Sequence, residues 1–523
     1  MRAMRTRRIQ GVLLGLAMLS GCASLPPGAH APRTQSDPLT DPASTNFGKQ
    51  FVAAHYAPGE SGFHIFNIGV EGFLMRMEMI NAAERTLDLQ YYIFRSDESG
   101  QLLADALMRA ADRGVKVRIL VDDGETVAGD ERLLTFANHA NVQIRVFNPF
   151  NYRGHLRALR AIDYILHKSR LDYRMHNKLL VADNAAALVG GRNIGDQYFQ
   201  IDPDSQFADD DVFTEGPTVA LLSATFNTFW DSDLAIPAES LHRPEPHPHW
   251  HAAKADKLNR AGFDYQAKLE AGAPLADIFS GKIPLVHATA LVVCDTPQKK
   301  QAIKQGTTRS LMYQPVADAI SASRSELIIV TPYFIPAPDE LKLLKDSRGR
   351  DLHVRLLTNS MESAQELSAH SGYMHYRKTL LREGVELHEI RAMLGSTRGS
   401  GQSKAISRHG NFGLHAKLFV FDRRRVFIGS MNFDQRSRRL NTEVGVIIDS
   451  PELAQQAAER FEAMVKPENA YAVEMKNHGK RGRLVWHTVK DGQPVDYESE
   501  PVQNAWRKIQ AKALTLVPLD SEL

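Results

Sequence analysis

Arg174–Asp196 reads RMHNKLLVADNAAALVGGRNIGD, and Gly413–Gln435 reads GLHAKLFVFDRRRVFIGSMNFDQ. Both fit H-x-K-x4-D-x6-G-[GS]-x-N. The first supplies His176, Lys178, Asp183, Gly190, Gly191 and Asn193. The second supplies His415, Lys417, Asp422, Gly429, Ser430 and Asn432. Five fixed identities meet at one start by chance about 3 × 10⁻⁷ of the time, taking ~1 in 20 per position, so two hits in one chain are related. The two histidines lie much further apart than a solenoid repeat, which marks a duplicated domain.

The flanking sequence repeats in the same order. TLDLQYYIF (86–94) predicts a strand, and SGQLLADALMRAADRG a helix with Leu102, Leu103, Ala106, Leu107 and Ala110 on one face. Gly114 stops that helix, and VKVRILVDD is the next strand. This βαβ order implies parallel strands with a right-handed crossover. ELIIVTPYFI (326–335), a helix from Asp339 to near Gly349, and DLHVRLLTNS (351–360) repeat it. An aromatic pair closes the first strand of each half, Tyr92/Phe94 and Tyr333/Phe334. ERLLTFANHANVQIRVF and HYRKTLLREGVELHEI each supply a further helix and strand.

HNKLLVAD and HAKLFVFD read as strands, so His and Lys at i and i+2 project from one face. The glycines after the next apolar run permit a tight turn and close approach to a ligand, and each Asn adds an amide donor. Two imidazoles ringed by lysines and amides suit a phosphodiester. Lys178, Lys417, Asn193 and Asn432 would stabilise its developing negative charge, and the imidazoles would share acid, base and nucleophilic work. The motif holds no carboxylate cluster suited to Mg²⁺, and neither metal nor cofactor is expected.

These residues resemble the phospholipase D superfamily with its two HKD motifs. RMHNKLLVADNAAALVGGRNIGDQYF, GSMNFDQRSRRLNTEVGV and the tail from Val485 are most similar to bacterial cardiolipin synthases of the C type. The resemblance implies an α/β fold of two similar domains, each a largely parallel or mixed sheet flanked by helices, with the active site at their pseudo-twofold interface. It implies a phosphohistidine intermediate, with His176 attacking and His415 protonating the leaving alcohol; a pseudo-symmetric site also allows the reverse. It makes the HKD aspartates Asp183 and Asp422 supporting residues and assigns each imidazole a carboxylate after the GSxN turn. Aligning DDDVFTEGP with EVGVIIDSP pairs Asp209 with Glu443, so Asp209 is expected on His176 and Glu443 on His415, with Asp211 a competitor for the first role. Gly191, where the second copy has Ser430, removes one hydroxyl near the phosphate.

Three functions fit this chemistry. A phosphatidyltransferase would take phosphatidylglycerol as donor and a lipid alcohol as acceptor, with phosphatidylethanolamine a further candidate lipid. A phospholipase D-type hydrolase, or nuclease, would use water. A lipid-binding envelope lipoprotein would use no catalysis. RRR (423–425), RSRR (436–439) and KRGR (480–483) would favour nucleic acid, but such runs are usually solvated faces, a net charge of +2 is too mild to argue for it, and no nucleic-acid partner is expected. Nothing in the residues identifies an accessory protein.

MRAMRTRR and IQGVLLGLAML form a basic and then an apolar stretch too short to span a bilayer. LSGC follows directly, so residues 1–22 read as a lipoprotein signal with Cys22 as the lipid anchor. That implies a periplasm-facing envelope protein, with the outer membrane favoured because Ala23 and Ser24 offer no retaining Asp. Cys294, the other cysteine, then has no disulfide partner and reads as a strand residue. Residues 23–50 are expected as a flexible tether, 51–234 as the first domain, 235–310 as a linker, 311–465 as the second domain and 466–523 as a C-terminal extension. HRPEPHPHWH (242–251) reads as a proline-stiffened linker before a metal tract. Trp506, Ile509, Ala513 and Leu516 share a helical face, read as packed on the body with an interfacial helix as the alternative.

Overall fold

The computed structural model describes residues 25–26, 28–124, 135–154, 156–202, 204–241, 274–306, 311–349, 351–395, 412–476, 482–502 and 505–515. In the first half the strands are β1 (Ser61–Phe66), β2 (Thr86–Tyr91), β3 (Lys116–Asp122), β4 (Val142–Phe147), β5 (Lys178–Ala182), β6 (Ala186–Gly190), β7 (Gln206–Ala208), β8 (Asp211–Glu215) and β9 (Ala235–Pro237). β2, β3 and β4 run parallel. β5 turns the sheet antiparallel against β2, and β6, β8 and β1 continue it.

The second half repeats this plan with β10 (Val286–Cys294), β11 (Glu326–Val330), β12 (Phe334–Ile335), β13 (His353–Asn359), β14 (Glu386–Ile390), β15 (Phe412–Leu414), β16 (Leu418–Phe421), β17 (Arg425–Gly429), β18 (Phe433–Asp434) and β19 (Val444–Asp449). β11, β13 and β14 are parallel, and β16, β17, β19 and β10 follow antiparallel. β1 pairs with β10, so the two sheets run on as one.

Helices used below are α1 (Glu98–Asp112), α2 (Arg157–Leu166), α3 (Pro217–Trp230), α4 (Leu367–Met374), α5 (Pro451–Met464) and α6 (Ala505–Leu514). Asp97 caps α1 by accepting from the Gly100 N–H, Leu103, Ala106, Leu107 and Ala110 are buried, and Gly114 leaves the helix at φ +95°. α3 and α5 bury Phe226, Phe229, Trp230, Ala457 and Phe461 in a core shared by both halves, with Val189 and Val212 alongside Val426 and Val446.

Several expected boundaries are corrected. The proposed tether is docked: Ala29 is buried, Arg33 donates to the Ser232 carbonyl at 2.8 Å, and Phe47 enters the first core. Val286–Cys294, assigned to the linker, is the second half's counterpart of β1, because VHATALVVC supplies the β-branched residues that a sheet strand needs. The C-terminal extension adds β20 (Ala470–Lys476), β21 (Arg483–Lys490) and β22 (Gln493–Tyr497) to the edge at β14. The signal, Cys22, HRPEPHPHWH and Leu516 lie outside the described residues, and no described helix is long and apolar enough to cross a membrane.

The HKD aspartates explain the repeat's spacing. Asp183 and Asn184 have φ of 52° and 49°, Asp422 and Arg423 54° and 52°, in the turns after β5 and β16. Asp183 accepts from the backbone N–H groups of Glu84, Arg85 and Thr86 at 2.7–2.9 Å, clamping the start of β2. Asp422 does the same for Arg324, Ser325 and Glu326 at the start of β11. Both act as turn-to-strand clamps at the far ends of β5 and β16 from the histidines. Asp183 is fully buried and Asp422 only partly so. Asp183→Ala therefore costs about 3 kcal/mol and Asp422→Ala about 1 kcal/mol, read as shifts in denaturant midpoint.

Candidate active site

Neither histidine stands within its strand. His176 precedes β5 by two residues, and His415 lies between β15 and β16. Each leaves its own sheet to pair with the opposite half. The His176 N–H donates to the Thr442 carbonyl, and the Thr442 N–H to the Arg174 carbonyl, both at 2.9 Å. β15 lies parallel to β7, and the N–H groups of His415 and Ala416 donate to the Ala208 carbonyl.

This crossing corrects the expected carboxylate pairing. Glu443 follows Thr442 directly, and its Oε2 lies 2.9 Å from His176 Nδ1. Asp209 follows Ala208, and its Oδ2 lies 2.6 Å from His415 Nδ1. The two carboxylates are equivalent, as aligned, but each serves the imidazole of the other half. Asp211 binds Arg76 at 2.8 Å and Arg192 at 3.0 Å, so it is engaged elsewhere.

The Gly191/Ser430 difference follows from side-chain length. A Cβ on Gly191 would stand 2.0 Å from Asp209 Oδ1. The shorter aspartate lies hard against its backbone. Ser430 Oγ donates to Glu443 Oε2 at 2.5 Å and accepts from the Val444 N–H at 3.0 Å. Its hydroxyl serves the carboxylate, which corrects the reading of a hydroxyl near the phosphate. Gly191 is absent from the positive-φ positions, so close approach rather than turn geometry requires glycine there.

Both imidazoles face one cavity of about 560 Å³, lined also by Tyr92, Tyr198, Asn193 and Asn432. Tyr92 meets His176 edge-on at 5.1 Å. Tyr198 meets His415 likewise, and Phe207 stacks on it at 5.4 Å. Asn193 Oδ1 accepts from the Ile93 N–H, which leaves its buried amide nitrogen to the cavity side, where its side chain meets the Tyr198 hydroxyl. Lys178 and Lys417 are fully buried, and each ammonium donates to the carbonyl of the histidine two residues before it.

The charges couple across the halves. Burial, then Lys178 and Lys417, holds His176 well below the ordinary imidazole range. Burial and Lys417 lower His415 to about 3, opposed by Asp209. Burial opposes ionisation of Asp209, but His415 and Lys417 hold it below the usual carboxylate range. Burial lifts Glu443 to about 7, against the pull of Lys178. Burial pulls Lys417 down to about 8 and Lys178 well below its usual value. The free site thus favours neutral imidazoles backed by one firmly ionised carboxylate, Asp209, and one, Glu443, that titrates near neutral pH.

The sequence reading missed Arg95, Asp434, Arg436 and Tyr164 on the cavity wall. Tyr92 and Tyr333, noted only as strand-closing aromatics, also line it. Four arginines of the basic runs form ion pairs: Arg423 with Glu326 and Glu462, Arg436 with Asp172, Arg438 with Asp339, and Arg483 with Glu498.

The family model "Cardiolipin synthase, PLD-like domain" matches residues 77–230 and 316–465. "Cardiolipin synthase C" of Escherichia coli is 33% identical over 472 residues, covering 88% of this chain and 96% of its own. "Major cardiolipin synthase ClsA" of Bacillus subtilis is 25% identical, covering 77% of this chain and 68% of its own. The phosphatidylserine synthase structure of Haemophilus influenzae superposes with a TM-score of 0.55 at 15% identity, covering 88% of this chain and 95% of that one. With two matched segments, each contributing one histidine to a shared cavity, the chain belongs to the cardiolipin synthase PLD-like domain family, a phosphatidyltransferase group of the phospholipase D superfamily.

Proposed function

We propose that the chain acts as a cardiolipin synthase, passing a phosphatidyl group from phosphatidylglycerol to a lipid alcohol through a phosphohistidine. The observation that carries this is the pair of imidazoles on one cavity, each with Nδ1 held by a buried carboxylate from the opposite half. With Nδ1 so engaged, Nε2 is the reactive nitrogen of each ring. His176 Nε2 attacks phosphorus and the bond from phosphorus to the glycerol oxygen breaks; His415, which takes up a proton at Nε2 when the anionic phosphodiester enters and offsets the lysines that keep it neutral in the free site, gives that proton to the leaving oxygen. The acceptor hydroxyl then loses its proton to His415 as its oxygen attacks phosphorus, and the bond to His176 breaks. Lys178, Lys417 and the Asn193 amide stabilise the charge on the phosphoryl oxygens.

The test is mass spectrometry of lipids after incubation with phosphatidylglycerol, with and without phosphatidylethanolamine, beside a His176→Ala control. Cardiolipin from the intact protein alone supports the reading. Phosphatidic acid instead would make it a hydrolase, and no lipid product would remove the assignment.

The pH dependence follows from Lys417. Its ammonium is charged below about 8 and loses that charge as pH rises through the value. Phosphate stabilisation weakens with it, so kcat/KM falls on the alkaline side of about pH 8. Lys417→Arg moves this limb upward, because guanidinium stays charged. A profile that is flat between pH 7 and about pH 10 in the unmodified protein would refute this origin.

We also propose that Cys22 is acylated and tethers the chain to the envelope, with the outer membrane favoured. Radiolabelled palmitate enters the intact chain in cells and is absent from Cys22→Ala. Equal labelling of both would exclude the anchor.

A further inference from the structure

α2 presents its faces the wrong way round for water. Its inner stripe is polar: Arg160 donates to the Asp123 carbonyl, Asp163 accepts from the Tyr152 N–H at 2.8 Å, and the Tyr164 hydroxyl donates to Asp172 at 3.1 Å. Its outer stripe is apolar. Leu159, Ile162, Ile165 and Leu166, with Leu156 just before the helix, are 41–72% exposed. Their spacing of three and four residues places them on one face. A surface helix in water turns such a face inward. Here the polar stripe is pinned to the body, so the apolar face has no core to enter.

We propose that α2 docks on an anionic phospholipid bilayer, burying this face among the acyl chains and holding the cavity mouth against the lipid. Three observations favour a bilayer over a protein partner. Cations flank the face: Arg157 is exposed on the helix, Lys168 follows it, and Lys300 donates to the Ser169 carbonyl with Lys304 nearby. That pairing of apolar face and basic flank is what an interfacial helix uses. Tyr164 connects the helix to the catalytic cavity, which it lines together with Arg436, its neighbour through Asp172. On the second half, α6 packs on α4, whose Ser368 and Ala369 also line the cavity. α6 holds on through Arg507 and the buried Ala511, and exposes Trp506 and Ile509 by 60% and 55% beside Lys512. Two exposed apolar helices, one from each half, thus belong to elements that wall a single cavity.

The substrate side of the inference rests on the proposed function; the docking does not. The test uses the full chain with vesicles of phosphatidylglycerol and phosphatidylethanolamine, and reads hydrogen exchange across 156–166. Docking slows exchange there when vesicles are added, and Ile162→Ser/Ile165→Ser abolishes the slowing at an unchanged melting temperature. In parallel, the double variant loses at least about tenfold in turnover of bilayer phosphatidylglycerol, yet stays within about twofold on a monomeric short-chain analogue. If the unmodified protein turns over neither lipid, the functional reading fails while the exchange result still decides docking. Exchange at 156–166 that ignores vesicles overturns the proposal. So does protection that is present without vesicles and scales with self-association in sedimentation, which would assign the face to a second copy.

Discussion

With a nitrophenyl ester of phosphatidic acid as donor, His176→Ala releases no nitrophenol, while His415→Ala releases one equivalent per chain and then stalls. The loss at His176 is at least about 10⁴-fold, since the nucleophile itself is gone. His415 matters less for the first step with this donor, because nitrophenolate leaves without a proton. It matters fully for the second, where the acceptor hydroxyl needs a base. The crossed carboxylates make a further demand. Glu443→Gln follows His176 and slows the burst about 10²–10³-fold, whereas Asp209→Asn keeps the burst and slows steady turnover by a similar factor, as expected for a carboxylate that sets an imidazole's tautomer. An alkaline quench and intact mass would show the phosphatidyl adduct in His415→Ala and Asp209→Asn only. A burst lost in Asp209→Asn but kept in Glu443→Gln, with the histidine phenotypes unchanged, would break the crossed pairing. Exchanged phenotypes for all four variants would keep the pairing and reverse the roles of the histidines.

That crossing marks where one-dimensional reading stops. The halves, their βαβ order and the equivalence of Asp209 with Glu443 were legible, because each rests on local periodicity or on a repeat within the chain. Which carboxylate meets which imidazole depends on β7 lying beside β15, and on the Met175 segment lying beside Thr442. These pairings join residues more than 200 positions apart, and each half alone offers a plausible partner in its own repeat. The same limit applies to Val286–Cys294. Its apolar, β-branched run was present, but the proline- and histidine-rich stretch before it obscured a strand whose role appears only when it is matched to β1. The α2 helix shows the complementary case. The sequence reading passed over it, and which of its stripes faces inward is decided by Asp123, Asp172 and Tyr152, outside the helix.

Gly191→Ser, which copies the second motif into the first, lowers kcat/KM by about 10²-fold or more with little change in fold. The added Cβ meets Asp209 Oδ1 at 2.0 Å and Cγ at 2.8 Å, so the carboxylate has to move. It has little freedom to do so. Asp209 is fully buried, Oδ1 accepts from the Asp210 N–H at 2.8 Å, and Oδ2 holds His415. Displacing it releases the imidazole's tautomer and removes an ionised group opposing Lys417 across the site. The reciprocal change, Ser430→Gly, opens space and deletes one donor to Glu443, leaving the His176 contact in place. Its cost is about tenfold, the value of one hydrogen bond to a charged group. The asymmetry is the measurable claim: motif symmetrisation towards serine is far more damaging than symmetrisation towards glycine. Equal losses from the two variants, at matched melting temperatures, would show that Asp209 can retreat at no cost and that side-chain length does not explain the glycine. A double variant Gly191→Ser/Asp209→Asn no worse than Gly191→Ser alone would place the whole effect on the carboxylate, since the serine has then already removed what the asparagine would remove.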